Sequence, residues 1–135
     1  SSAASDVYKR QATDHAPHAA EEKNQPMTKA PFGIGGSETA FPLLYTHFVK
    51  NGDWTLQQLV DYLTIKPAQT FDLPFGRLEE GYLADLTVIN LEEESEIKAE
   101  DFASKGTNTP FIGYKVYGTP VLTMVEGEVK FEEEE

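Results

Sequence analysis

Cysteine is absent from the sequence, which excludes disulfides, thiolate metal sites and a cysteine nucleophile and fits a reducing cytoplasm. Positive charge is scarce. Eleven Lys and Arg stand against 23 Asp and Glu, a formal net charge of −12. No nucleic-acid partner is expected, because phosphate binding needs a basic face. No apolar run approaches the roughly 18 residues of a membrane span, and no signal-peptide pattern is visible, so no membrane association is expected. Internal repeats are missing too. What is present is enough for a core: 135 residues, 39% hydrophobic and 11% aromatic, the length of one ordinary domain. The acidity gathers at Glu92 to Asp101 and in Glu132-Glu133-Glu134-Glu135, runs that read as solvated surface and not as a metal cluster.

The densest chemistry lies in Ala12-Thr13-Asp14-His15-Ala16-Pro17-His18. Pro17 fixes its own φ and steers Ala16 away from helix, so Asp14 and His18 are expected on a stiff, extended turn. Asp14 offers a hard oxygen to a metal, or a general base to a metal-bound water. A zinc site needs at least three protein ligands, and the only histidines are His15, His18 and His47. The Asp-x-x-x-His spacing does not close such a site. Asp and His are also ordinary turn residues. His47 sits in a helical pattern among aromatics and is given no role. Phe32-Gly33-Ile34-Gly35-Gly36-Ser37 precedes a helix and could offer backbone N–H groups to a small anion. It lacks the Lys-Ser/Thr ending of a P-loop and follows no strand, so nucleotide binding is disfavoured. A flexible helix start explains it equally well.

Three zones organise the chain. Residues 1–11 carry no hydrophobic period and resemble a translated adapter sequence, so they are set aside from the fold. Residues 12–71 hold a polar surface loop at Ala19 to Ala30, then helices. Ser37 is expected as an N-cap with Glu38 in the first turn, and the apolar spacing runs from Ala40 to Val49 before Asn51-Gly52 stops it. Thr55 caps a second helix striped by Leu56, Leu59, Val60 and Leu63, and Pro67 starts a short third one. Residues 72–135 turn β-rich: Ala84 to Ile89, a region opening at Pro110-Phe111-Ile112-Gly113, and Val121 to Val125 followed by a hairpin turn at Glu126-Gly127. Three or four strands beside one short helical block leave sheet edges and faces unpaired, so the chain is expected to be the tail of something larger.

Several of these elements carry a resemblance. Thr13-Asp14-His15-Ala16-Pro17-His18, Pro31-Phe32-Gly33, Gly36-Ser37-Glu38-Thr39 and Pro42-Leu43-Leu44 resemble the C-terminal third of bacterial dihydroorotases. So do Asn108-Thr109-Pro110-Phe111-Ile112-Gly113 and Gly118-Thr119-Pro120. Gly76-Arg77-Leu78-Glu79-Glu80-Gly81-Tyr82-Leu83-Ala84-Asp85-Leu86 resembles the tail signature of amidohydrolases in general. The resemblance implies an α/β fold: the end of a metal-dependent (β/α)8 TIM barrel in 12–71, and the C-terminal share of a small β-sandwich with an acidic tail in 72–135. A closed barrel needs on the order of 250 residues, so the barrel here is incomplete.

The implied reaction is the reversible zinc-dependent cyclisation of N-carbamoyl-L-aspartate to dihydroorotate, in pyrimidine synthesis. By position, Asp14 matches the family's zinc-ligating proton shuttle. His18 matches a contact to the substrate carboxylate, and Phe32 and Gly33 match main-chain substrate contacts. No role transfers to His15. The other zinc ligands and the substrate Arg and Asn are not found in this sequence, so the 135-residue chain is expected to be inactive alone. The resemblance further implies a cytoplasmic homodimer acting on a small molecule, with aspartate transcarbamoylase as a further partner. Three competitors stand beside it: a hydantoinase or allantoinase, a non-catalytic scaffold for aspartate transcarbamoylase, and an independent acidic β-rich interaction module.

Overall fold

The computed structural model describes residues 10–133. The residues 1–9 of the adapter-like zone therefore lie outside the described part. Gln11, set aside with them, is tied in: its N–H donates to the Tyr62 carbonyl at 3.0 Å. Helical elements come first and strands last. In order they are α1 (Ala20–Lys23), α2 (Ala40–Leu44), a π-helical turn (Tyr45–Val49), α3 (Leu56–Leu63) and α4 (Ile65–Thr70). Then follow β1 (Leu86–Asn90), β2 (Ser95–Glu96), a 3₁₀ turn (Ala99–Asp101), β3 (Lys115–Val116), β4 (Thr119–Val125) and β5 (Glu128–Glu132).

The caps show which local signals decided. Thr55 and Gln58 form a reciprocal capping box, with Gln58 N–H to Thr55 Oγ1 at 3.1 Å and Thr55 N–H to Gln58 Oε1 at 2.8 Å. This satisfies two orphan donors at the start of α3. Ser37 does not cap α2. Thr39 holds that place, without a side-chain bond, and the Glu38 carboxylate turns away to accept the N–H groups of Ala103 at 2.8 Å and Ser104 at 3.1 Å. Two charge-assisted bonds to another segment outweigh a weak attraction to a short helix dipole. The expected loop at Ala19 to Ala30 contains one helical turn, α1, closed by Glu22 Oε2 accepting the Ala19 N–H at 3.0 Å.

Thr39 Oγ1 is buried and has no hydrogen-bond partner among the described residues. An unpaired buried hydroxyl carries a desolvation cost of about 1–3 kcal/mol. Thr39→Val is therefore expected to be neutral or to raise the thermal unfolding midpoint. A fall of several degrees would show that the hydroxyl is in fact bonded.

The core is small. Leu59, Tyr62 and Ala68 are buried in the helical half, and Ile97 and Val116 in the strand half. Trp54 joins the helices, stacking on Phe48 at 4.5 Å and meeting Tyr62 edge-on at 5.3 Å. The π-helical turn then ties the halves together. Thr46 Oγ1 accepts the Tyr117 N–H at 2.9 Å, and Lys50 Nζ lies 3.6 Å from the Tyr117 ring centre.

The sheet is antiparallel in the order β1-β4-β5, beside a two-stranded β2-β3 pair. Pro120 sits in the central strand at the point where pairing with β1 skips a residue, between Val88 and Ile89. Its missing N–H is tolerated there because the ladder is already broken. The Glu126-Gly127 hairpin forms as expected, both residues having positive φ, 51° and 81°, which matches the right-handed twist of the strands. Pro110 to Gly113 forms a turn in place of the expected start of a strand. Gly113 has φ 85° and donates its N–H to the Ile97 carbonyl. Much apolar surface stays open, including Phe131 and Val129 on β5 and Leu78, which is 74% exposed. Among the described residues no helix is long and apolar enough to cross a membrane.

Candidate functional site

Asp14 to His18 and Phe32 to Ser37 run side by side. His15 and Ile34 form an isolated parallel bridge, and the Ala16 N–H donates to the Ile34 carbonyl at 2.8 Å. Asp14 departs from the expected extended turn. Its φ is 48°, in the left-handed region that Asp and Asn enter more readily than other side chains. The reversal leaves the Asp14 carboxylate exposed, next to the start of the paired segment.

His18 and Phe32 meet directly. His18 Nε2 lies 3.0 Å from the Phe32 carbonyl oxygen, a bond that requires the proton on Nε2. Its Nδ1 stands 3.8 Å from Glu22 Oε2. The Phe32 side chain is 90% exposed, so the main chain of Phe32 is anchored while its ring reaches outward. Gly33 follows with φ 105°, where a Cβ would stand 2.5 Å from Ala16 Cβ. Only glycine fits so close an approach at that φ. Thus His18, Phe32 and Gly33 meet in one locality, as the sequence spacing alone did not require, and Asp14 opens the segment that pairs there.

Three N–H groups of the glycine run are spoken for. Those of Gly36 and Ser37 donate to His15 Nδ1 at 2.9 and 3.1 Å, and that of Gly35 to the Asn108 carbonyl at 2.9 Å. The Gly35–Ser37 part of the run is therefore not an anion cradle. These N–H groups instead hold the segment to its neighbours. Lys23 does the same from α1, its ammonium donating to the carbonyls of Pro31 and Gly33 at 3.0 Å each. His15, Lys23 and Asn108 were not assigned tasks from sequence. Asn108 lies some 90 positions away from His18, and no local pattern links the two.

Among the described residues no three His, Cys, Asp or Glu side chains come together. Asp14 is a suitable single ligand for a hard cation, but these residues alone do not make a metal site. What they do provide is an exposed carboxylate at the start of one segment and, further along it, an imidazole bonded to the main chain of the other. That arrangement suits proton transfer beside a bound, carbonyl-bearing small molecule.

Comparison with known proteins places the chain. The sequence profile of the amidohydrolase family matches residues 6–130. The chain is 78% identical over 121 residues to a dihydroorotase of Staphylococcus aureus strain Mu50, covering 90% of this chain and 28% of that protein. It is 72% identical over 123 residues to a dihydroorotase of Staphylococcus epidermidis, covering 91% and 29%. Among solved structures it resembles an L-hydantoinase (dihydropyrimidinase) from Arthrobacter aurescens, with 36% identity and a TM-score of 0.85 over 94% of this chain and 29% of that one. The chain thus spans under a third of the length of these relatives.

Proposed function

Because the chain belongs to the amidohydrolase family, we propose that it supplies one wall of a dihydroorotase active site. The whole protein would interconvert N-carbamoyl-L-aspartate and dihydroorotate in pyrimidine synthesis, acting in the cytoplasm. The observation that carries this is the meeting of His18 with the Phe32–Gly33 segment, His18 Nε2 lying 3.0 Å from the Phe32 carbonyl, on the stretch that Asp14 opens. The likeness to staphylococcal dihydroorotases supports the substrate. In this proposal residues 12–71 belong to the end of a (β/α)8 barrel and 72–135 to a β-sandwich. A homodimer, with aspartate transcarbamoylase as a further partner, belongs to the same proposal.

Each residue then has a task. In the hydrolytic direction water adds to the ring amide carbonyl, the carbon–nitrogen bond breaks, and the departing nitrogen must gain a proton. The Asp14 carboxylate takes the proton that water loses and returns it to that nitrogen. In cyclisation it takes the proton from the carbamoyl nitrogen instead. His18 orients the substrate carboxylate, and the Phe32 and Gly33 main chain bonds the ring's amide groups. Zinc would take Asp14 as one ligand, with its other ligands outside residues 10–133.

The test is an assay of the full-length protein with dihydroorotate, hydantoin and allantoin. Turnover of dihydroorotate at least about a hundredfold better than of the others, in kcat/KM, is expected from a site built to bind the extra carboxylate. A preference for hydantoin would move the protein to the hydantoinases, and no turnover of any would favour a scaffold. The 135-residue chain assayed alone is expected to show none.

A further inference from the structure

Asn108 sits far along the chain from the other site residues, yet both walls are bonded to it through their backbone groups. Its Oδ1 accepts the His18 N–H at 2.7 Å. Its Nδ2 donates to the carbonyls of Ala16 at 3.1 Å and Gly33 at 3.3 Å. Its own carbonyl accepts the Gly35 N–H at 2.9 Å. One residue therefore bridges the Ala16–His18 wall to the Gly33–Gly35 wall. The orientation of the amide is fixed by its neighbours: reversed, it would set an NH₂ against an N–H and an oxygen against two carbonyls.

Gly106 makes this approach possible. A Cβ there would stand 2.8 Å from Pro17 Cβ and 2.9 Å from His18 N. From the other side His15 grips the same segment, its Nδ1 accepting the N–H groups of both Gly36 and Ser37. A nitrogen that accepts cannot carry a proton, so the His15 proton sits on Nε2.

We infer that Asn108 and His15 are positioning residues that set the spacing between the Asp14–His18 stretch and the main chain of Phe32 and Gly33. This rests on the site proposed above. Neither residue touches substrate; each acts through backbone groups. The chemistry is specific. At position 108 only an amide of this length both donates and accepts, whereas Asp would face the Ala16 and Gly33 carbonyls with a second negative oxygen. At position 15, Asn carries an acceptor where the imidazole has Nδ1, whereas Gln carries it near the place of Nε2.

The experiment compares full-length wild type with N108D, N108A, H15N and H15Q. It reads hydrogen exchange by mass spectrometry in peptides covering residues 12–19 and 31–38, with 119–132 as internal reference, together with kcat and KM for dihydroorotate. N108D and H15Q are expected to speed exchange in the first two peptides by about tenfold or more, as the loss of the bonds that hold the two segments together implies. The 119–132 peptide should not change, KM should rise more than kcat falls, and H15N should keep most of the protection. Unchanged exchange in N108D, equal loosening of all three peptides in N108D and N108A, or H15N exchanging like H15Q would each overturn the inference. If wild type does not turn over dihydroorotate while N108D loosens the two peptides, the positioning stands and the substrate assignment falls.

Discussion

Replacing Asp14 by Asn is expected to lower kcat of the full-length protein about a thousandfold, the middle of the range for removing a general acid–base group. The position makes this a clean experiment. Asp14 has φ 48° and is exposed, and Asn adopts that backbone as readily as Asp does. Folding stability should therefore change by no more than about 0.5 kcal/mol. Asp14→Ala would confound the two effects, because alanine resists positive φ. Measuring kcat and the thermal midpoint of D14N together separates chemistry from folding. A variant that keeps more than a tenth of wild-type kcat would remove Asp14 from the proposed proton transfer.

The second large effect is expected at Gly33. An alanine there meets two penalties at once. The φ of 105° strains any L side chain, and the new Cβ would stand 2.5 Å from Ala16 Cβ. Strain of about 1–3 kcal/mol and overpacking of about 1–3 kcal/mol combine, so a loss of about 2–6 kcal/mol is expected by chemical denaturation. The segment can escape only by moving away from Ala16, which pulls the Gly33 carbonyl off Lys23 Nζ and Asn108 Nδ2. Activity should fall with stability, mainly through KM, because the displaced main chain is a proposed substrate contact. Gly52→Ala is the control. Its φ is 85° but nothing lies within 4 Å of the would-be Cβ, so only the strain remains, at about 1 kcal/mol. Equal losses in the two variants would mean that the close approach to Ala16 does not matter.

Local chemistry was legible wherever a signal and its partner lie within a few residues. The Thr55–Gln58 capping box and the Glu126-Gly127 turn are of this kind. The box closes its own hydrogen bonds, and the turn takes its shape from two residues that accept positive φ, although their N–H groups reach Asp85 Oδ1 and the Ala84 carbonyl. Where a distant partner competes, the local signal loses. Glu38 suited a first helical turn, but the backbone N–H groups of Ala103 and Ser104 offered it two bonds. The glycine run suited an anion, but His15 and Asn108 reached its N–H groups first. Pro17 restricts the backbone beside it, yet Asp14, three residues earlier, turns through a φ of 48°.

The sequence by itself determined the composition class, the order of helices before strands, the family resemblance, and which residues were candidates for the site. Those properties reside in residue types and short spacings, and Asp14 and His18 were visible on both counts. Only the tertiary structure decided that Phe32 meets His18, that Gly33 packs on Ala16, that Asp14 turns through a left-handed φ, and that Asn108 and His15 hold the two segments together. The physical reason is that such contacts depend on which backbone groups remain unpaired once the chain has packed. Asn108 meets His18 across 90 positions, and no period, cap or turn signal in the intervening chain encodes that meeting.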